Sequence, residues 1–282
     1  MKTKRNIATW LGVVLGTVMA LALNATLAHA SDDGAVVREE FHQTYPLAAN
    51  GRVALENING AAHISVWDQN QVKVDAVKRA DDEEGLKNME ILVEPRADSI
   101  SIVTKYRSNG ERWNNHHYSS VEYTVTVPRN AKLDEIKLIN GALDVTGVVG
   151  EVRASCINGK LTARGLGNEA KLSTINGPLD ATFDRLPASQ IELQSVNGPI
   201  HLTLPSDAKA NLEATTVHGR IGNEFGLHTN NHFVGHDMHG QLGGGGTHIR
   251  LNNVNGPIEI RHANDGRTMS PAKSEGGDED DI

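Results

Sequence analysis

One phrase, an apolar residue followed by Asn or His and then Gly, returns seven times between Ile136 and Ile260. It reads Ile139-Asn140-Gly141, Ile157-Asn158-Gly159, Ile175-Asn176-Gly177, Val196-Asn197-Gly198, Val217-His218-Gly219, Met238-His239-Gly240 and Val254-Asn255-Gly256. The central residues are 18, 18, 21, 21, 21 and 16 positions apart. A near-constant period of this length marks a repeat architecture.

Aligning the chain on that phrase exposes its periodicity. Three residues after the Asn or His stand Leu143, Leu161, Leu179, Ile200, Ile221, Leu242 and Ile258, all branched aliphatics. Apolar residues recur at a spacing of two on both sides of each Asn-Gly, with Arg153, Lys171, Glu192, Glu213 and Arg250 at intervening positions. A period of two belongs to strands with one dry and one wet face, not to helices. Gly tolerates φ > 0, and Asn and His are among the few other residues that do, so the phrase reads as a corner between strands. Asn-Gly is also a hairpin signal, but a meander would alternate two kinds of turn. Here every repeat has the same parts in the same order. The expected fold is therefore all-β, a parallel β-solenoid or β-helix with coils of about 18–21 residues. Seven coils spaced about 4.8 Å apart would extend roughly 30 Å, with the seven aliphatics in one stack, each above the next.

The flanks divide the chain. Lys2, Lys4 and Arg5 precede an apolar run and a small-residue cleavage site, Ala28-His29-Ala30, so residues 1–30 read as a secretory signal peptide and the protein as exported, to the periplasm or cell surface. No stable membrane insertion is expected once it is removed. Residues 31–130 carry a fainter β pattern: an early coil around Asn59-Gly60, alternating strand candidates after it, one short helix at Asp81–Met89 capped by Asp81, and a loop at Arg107–Ser119. This region is expected to continue or cap the regular solenoid of residues 131–262. Residues 263–282, rich in Gly, Ser and acids, read as a disordered acidic tail.

Cleavage after Ala30 removes three of the 27 basic side chains and none of the 35 acids, taking the formal charge from −8 to −11. Such a balance disfavours nucleic acid as a partner. Cys156 is the only cysteine, so no internal disulfide forms, and its place in a repeat column points to a small buried residue.

The cleavable signal, the strand ending Val66-Trp67-Asp68, the strand Val125-Thr126-Val127-Pro128 ahead of the coils and the repeated Ile-Asn-Gly resemble an uncharacterised bacterial β-strand-repeat family, the putative adhesins related to head GIN domain proteins. The resemblance covers roughly residues 38–262 and rests on the repetition of the phrase. It implies a right-handed solenoid in the cell envelope and brings no catalytic residues with it. The chain departs from the pattern at His218 and His239, which replace Asn, and at the run Gly243–Gly246.

Three functional readings follow. The first is a non-catalytic, adhesin-like envelope scaffold or binding module without a cofactor, whose partner is an envelope protein or a surface glycan. The second is a metal-binding envelope protein. His218, His228, His232, His236 and His239, with His248 nearby, place six histidines within 31 residues. Imidazoles of this density suit Zn, Cu or Ni, and stacking of His218 on His239 would begin such a site. The third is a polysaccharide-active β-helix enzyme, with Glu192 and Glu213 as neighbouring outward carboxylates in adjacent coils. Aromatic residues make up only 4% of the chain, and Trp67 and Trp113 are the only tryptophans after the signal, which leaves few sugar-stacking platforms. The reading taken is non-enzymatic.

Overall fold

The computed structural model describes residues 36–107 and 118–274. The expected signal peptide, residues 108–117 of the expected loop and the acidic end of the tail at 275–282 lie outside the described residues. The first half holds β1 (Val37–Pro46), β2 (Arg52–Asn59), β3 (Ala62–Trp67), β4 (Gln71–Ala80), α1 (Glu83–Asn88), β5 (Met89–Pro95), β6 (Ser99–Tyr106) and β7 (Ser119–Pro128). The repeats supply β8 (Lys132–Asn140), β9 (Leu143–Thr146), β10 (Val152–Asn158), β11 (Leu161–Arg164), β12 (Ala170–Asn176), β13 (Leu179–Thr182), β14 (Ile191–Asn197), β15 (Ile200–Leu204), β16 (Ala210–His218) and β17 (Ile221–Asn223). Then follow β18 (Asn230–Asn231), β19 (His236–Leu242), β20 (Thr247–Asn255), β21 (Ile258–His262) and β22 (Ala272–Ser274).

The all-β expectation holds: two mixed sheets, of 10 and 12 strands, enclose one core. Each repeat except that of His239-Gly240 gives one strand to each sheet, broken at the Asn-Gly or His-Gly. Period-two patterning decides which face is dry. In β10, Val152, Ala154 and Cys156 point inward while Arg153 and Ile157 face solvent. Within the repeats the pairing is parallel and in register, as in Leu143↔Leu161↔Leu179↔Ile200. These four side chains are fully buried, and burying each contributes roughly 1.5–3 kcal/mol.

The stack does not follow sequence order, which corrects the expected column. Ile200 is followed by Ile258, and Ile221 comes after it, because β21 lies between β15 and β17. Likewise β20 lies between β14 and β16. Leu242 leaves the stack altogether and sits in the larger sheet opposite Ala210, on an antiparallel strand. The pattern explains the exchange. Where other repeats carry aliphatics, the stretch after β16 has Asn223, Gly235 and Gly244, a poor rung. Thr247–His262 instead offers Ile249, Leu251, Ile258 and Ile260, which match the buried positions of β14 and β15.

The first half is rearranged in the same way. β2 pairs with β8 and β3 with β9, so the early coil joins the first regular one directly, and residue 130 marks no break in the sheets. The strands lying between them in sequence, β6 and β7, pair in parallel on the far side of β2 and β3. Antiparallel strands finish both sheets at this end, with β4 and β1 beyond β7 and β5 beyond β6. Such additions cover strand edges that would otherwise be open. The helix is present but shorter than expected, and its cap is Asp82, whose carboxylate accepts from Gly85 N at 2.7 Å. Asp81 instead accepts from Tyr118 N. The expected tail is ordered through Ser274: β22 pairs with β19, and Ser270 N donates to Ser206 O at 2.9 Å. Among the described residues no helix is long and apolar enough to cross a membrane.

The corner phrase has two separate causes. At Gly177, φ is +146° and a Cβ would lie 2.2 Å from Gly159 O, so only glycine fits. The Asn before it is not at positive φ; among the described non-glycine residues only Asn264 is. Its reason is lateral. Asn140 donates to Asn59, Asn158 to Asn140, Asn176 to Asn158, Asn197 to Asn176 and Asn255 to Asn197, each amide to amide at 2.8–2.9 Å. This ladder binds six successive rungs along one edge of the larger sheet. His218 stands beyond Asn255, where the run of amides ends.

Candidate functional site

Placing β20 between β14 and β16 assembles a polar groove on the outer face of the larger sheet. Four strands, β14, β20, β16 and β19, lie side by side there, and their outward side chains form two crosswise rows. Asn211 is opposite His248 on one side and Gln241 on the other, and Gln190, just before β14, lines the groove with them. One step along the strands, Glu213 is opposite Arg250 and His239, with Glu192 beyond Arg250. The groove between them measures about 560 Å³, and its floor is made by Leu212, Gly240 and Ile249.

Its chemistry is polar and nearly neutral. Arg250 reaches Glu213 Oε2 through Nε at 3.0 Å and Nη2 at 2.9 Å, so the two charges compensate each other. Three carboxamides, Gln190, Asn211 and Gln241, each bring both donor and acceptor groups, and His239 and His248 add imidazole nitrogens. Gly243–Gly246 closes one end as a tight turn between β19 and β20. All four of its glycines have positive φ, and Asn211 Nδ2 donates to Gly246 O at 3.4 Å.

The expected carboxylate pair is not formed. Arg250 stands between Glu192 and Glu213, and Glu192 is held by Lys171 at 2.9 Å. The two acids occupy equivalent repeat positions, but the inserted strand separates them.

The histidines divide into three places. His239 and His248 line the groove. His218 lies opposite Asn255 at the end of the amide ladder. It does not stack on His239, because β19 runs antiparallel to β16 and brings His239 against Glu213. His228, His232 and His236 lie on or beside the β18–β19 hairpin. There His232 Nε2 bonds Asp237 Oδ1, His239 Nε2 lies 3.5 Å from Asp237 Oδ2, and His236 Nδ1 lies 2.7 Å from Asn231 Oδ1. Burial would raise the Asp237 pKa, but hydrogen bonds from Asn230 and His232 and the neighbouring histidines hold it below the usual carboxylate value. Among the described residues no group of three or more His, Cys, Asp or Glu is arranged to hold a metal ion.

Cys156 is buried, its Sγ donates to Gly141 O at 3.2 Å, and burial pushes its pKa up to about 11. The equivalent Thr216 donates to Gly256 O at 3.1 Å. This interior column supplies donors to corner carbonyls, which suits a structural thiol and not a nucleophile.

On the outer face of the other sheet, histidines and acids pair across strands: His63 with Asp144 at 2.9 Å and His201 with Asp180 at 2.8 Å. Asp180 and His201 share one column of successive repeats, so that pair is legible in the repeat alignment; His63–Asp144 and the groove are not, since they depend on which strands are neighbours.

No family model matches the chain, and no curated protein does. Solved structures do. A putative cell adhesion protein from Clostridium sporogenes is similar at 13% identity and a TM-score of 0.48, over 80% of this chain and 100% of that one. A putative adhesin from Bacteroides fragilis is similar at 11% identity and a TM-score of 0.31, over 79% and 96% of the two chains. A putative lipid binding protein from Parabacteroides distasonis follows at 11% identity and 0.29, also over 79% and 96%.

Proposed function

We propose that this chain is an exported, non-catalytic β-solenoid binding module of adhesin-like character, and that its groove takes an uncharged, hydroxyl-rich ligand such as a neutral glycan. The observation that carries the reading is the pair of polar rows across β14, β20, β16 and β19. Carboxamides and imidazoles both donate and accept, which suits hydroxyl groups, and the Glu213–Arg250 pair leaves no uncompensated charge there for an ionic ligand. The same pair argues against hydrolysis, because the carboxylates at this face are bound by cations. The experiment is calorimetric titration of the chain without residues 1–30 with neutral and acidic oligosaccharides, alongside the Asn211→Ala, Gln241→Ala double variant. Binding of neutral sugars that the double variant loses supports the reading. Preference for acidic sugars, or equal binding by the variant, refutes it.

A second reading, a metal-binding envelope protein, is supported by Asp237, whose two oxygens face His232 and His239. Zn, Cu or Ni would have to draw these three groups inward around the ion, with His218, His228 and His236 outside the first set. Titration with each metal, before and after Asp237→Asn, decides it: affinity unchanged by the substitution removes the reading.

A further inference from the structure

The apolar residue of the repeated phrase is not part of the core. Ile58, Ile139, Ile157, Ile175, Val196 and Val254 each precede a rung of the amide ladder, Val217 precedes His218 beyond its end, and all seven lie in register along one edge of the larger sheet. All seven are 37–42% exposed, although each is a large branched aliphatic. At about 4.8 Å per strand the column extends roughly 29 Å. Beyond Val217 it meets the tip of the β18–β19 hairpin, where Phe233 and Val234 are the most exposed apolar side chains. A Cβ on Gly235 would lie 3.5 Å from Val217 Cα, so this tip adjoins the column.

Strand propensity alone does not require this stripe. Thr has the same β-branching, stacks in the same ladder and would leave a hydroxyl in water. Seven aliphatics at seven exposed equivalent positions point to a surface that is covered. The column leaves on the order of 500 Å² of apolar surface in water, and the hairpin tip adds to it, which approaches the roughly 800 Å² per partner of a standard stable interface.

We infer that the stripe is the interface of a homodimer, in which a second copy lies antiparallel across it. A two-fold axis perpendicular to the column, within the plane of contact, faces aliphatic on aliphatic along its length. Because each level carries the same residue type, the stripe is complementary to itself. No charge interrupts the column, which leaves nothing on it for an ionic partner. The glycan groove is separate from it, since Asn211 and Glu213 lie four or more residues back from Val217 along β16.

The test is sedimentation velocity on the chain without residues 1–30, from micromolar to submillimolar concentration. The expected result is a dimer that the Ile157→Thr, Ile175→Thr, Val196→Thr triple variant weakens at least about tenfold, as loss of a central apolar anchor does, while its β-branching preserves the ladder. Thr146→Lys, on the outer face of the other sheet, should leave the dimer unchanged. Added salt should strengthen association, because two acidic copies repel through charges that lie off the stripe. A monomer throughout this range, or a triple variant with the parent's dimer constant and thermal midpoint, overturns the inference. So does a monomer whose stripe binds uncharged phosphatidylcholine vesicles, which would assign the face to lipid.

Discussion

Replacing Gly177 by Val sets a side chain against the backbone of the next rung. The Cβ would lie 2.2 Å from Gly159 O and 2.7 Å from Gly159 C, against a normal closest approach of at least 3.0 Å. Relief requires the two rungs to part by about 1 Å at the corner. The bonds at risk are Gly159 N to Asn176 O at 3.0 Å, Gly177 N to Asn197 O at 2.9 Å and the Asn176–Asn158 amide rung at 2.8 Å. Losing one or two of these costs about 1 kcal/mol each, and holding a β-branched residue at φ +146° adds about 1–3 kcal/mol. The expected loss is therefore about 2–5 kcal/mol. Lys160→Val is the control, because the position of Lys160 holds Pro178, Pro199 or Pro257 in other repeats. It gives up an exposed ion pair with Asp180 at 2.5 Å, which is worth at most about 1 kcal/mol. Urea unfolding followed by circular dichroism measures both, with equal m values required for the comparison. A difference of less than about 1 kcal/mol between the two variants would refute the steric account.

Leu179→Ala should cost about 2–5 kcal/mol by the same assay, since Leu179 is fully buried between Leu161 and Ile200 and its cavity is closed by rungs on both sides. Asn176→Asp removes the donor to Asn158 Oδ1 and leaves two acceptors facing each other. Facing an acceptor raises the folded pKa of the introduced carboxylate, so the variant should be about 1–3 kcal/mol less stable at neutral pH and recover as pH falls through that raised value towards about 4, read from urea midpoints across pH. For Asp180 the sign is opposite. Burial would raise its pKa, but hydrogen bonds and charge from Lys160 and His201 outweigh it and hold the folded value below that of an ordinary aspartate, about 3.9. Its stabilising contribution is therefore complete above that value and lost as pH falls through the folded pKa, and Asp180→Asn should flatten the acid limb of the stability profile below about pH 4.

The sequence by itself determined the strands and their faces. Period-two alternation depends only on local side-chain direction, so the buried aliphatics at Leu143, Leu161, Leu179 and Ile200, and the glycine corner at Gly177, were readable without a structure. The Asn of the phrase was readable as a corner residue but for the wrong reason, because its amide bonds run to another rung and not along its own backbone. Tertiary structure decided strand order. Parallel rungs of nearly equal pattern can stack in more than one sequence, and the order chosen depends on which rungs match best. Insertion of β20 and β21 beside β14 and β15 separated Glu192 from Glu213, reversed His239 relative to His218 and brought Gln190, Asn211, Gln241 and His248 to one groove. Exposure of the Ile and Val column was also beyond the sequence. Those residues continue the outward set of each strand, and only the two-sheet arrangement shows that the described residues leave them 37–42% exposed.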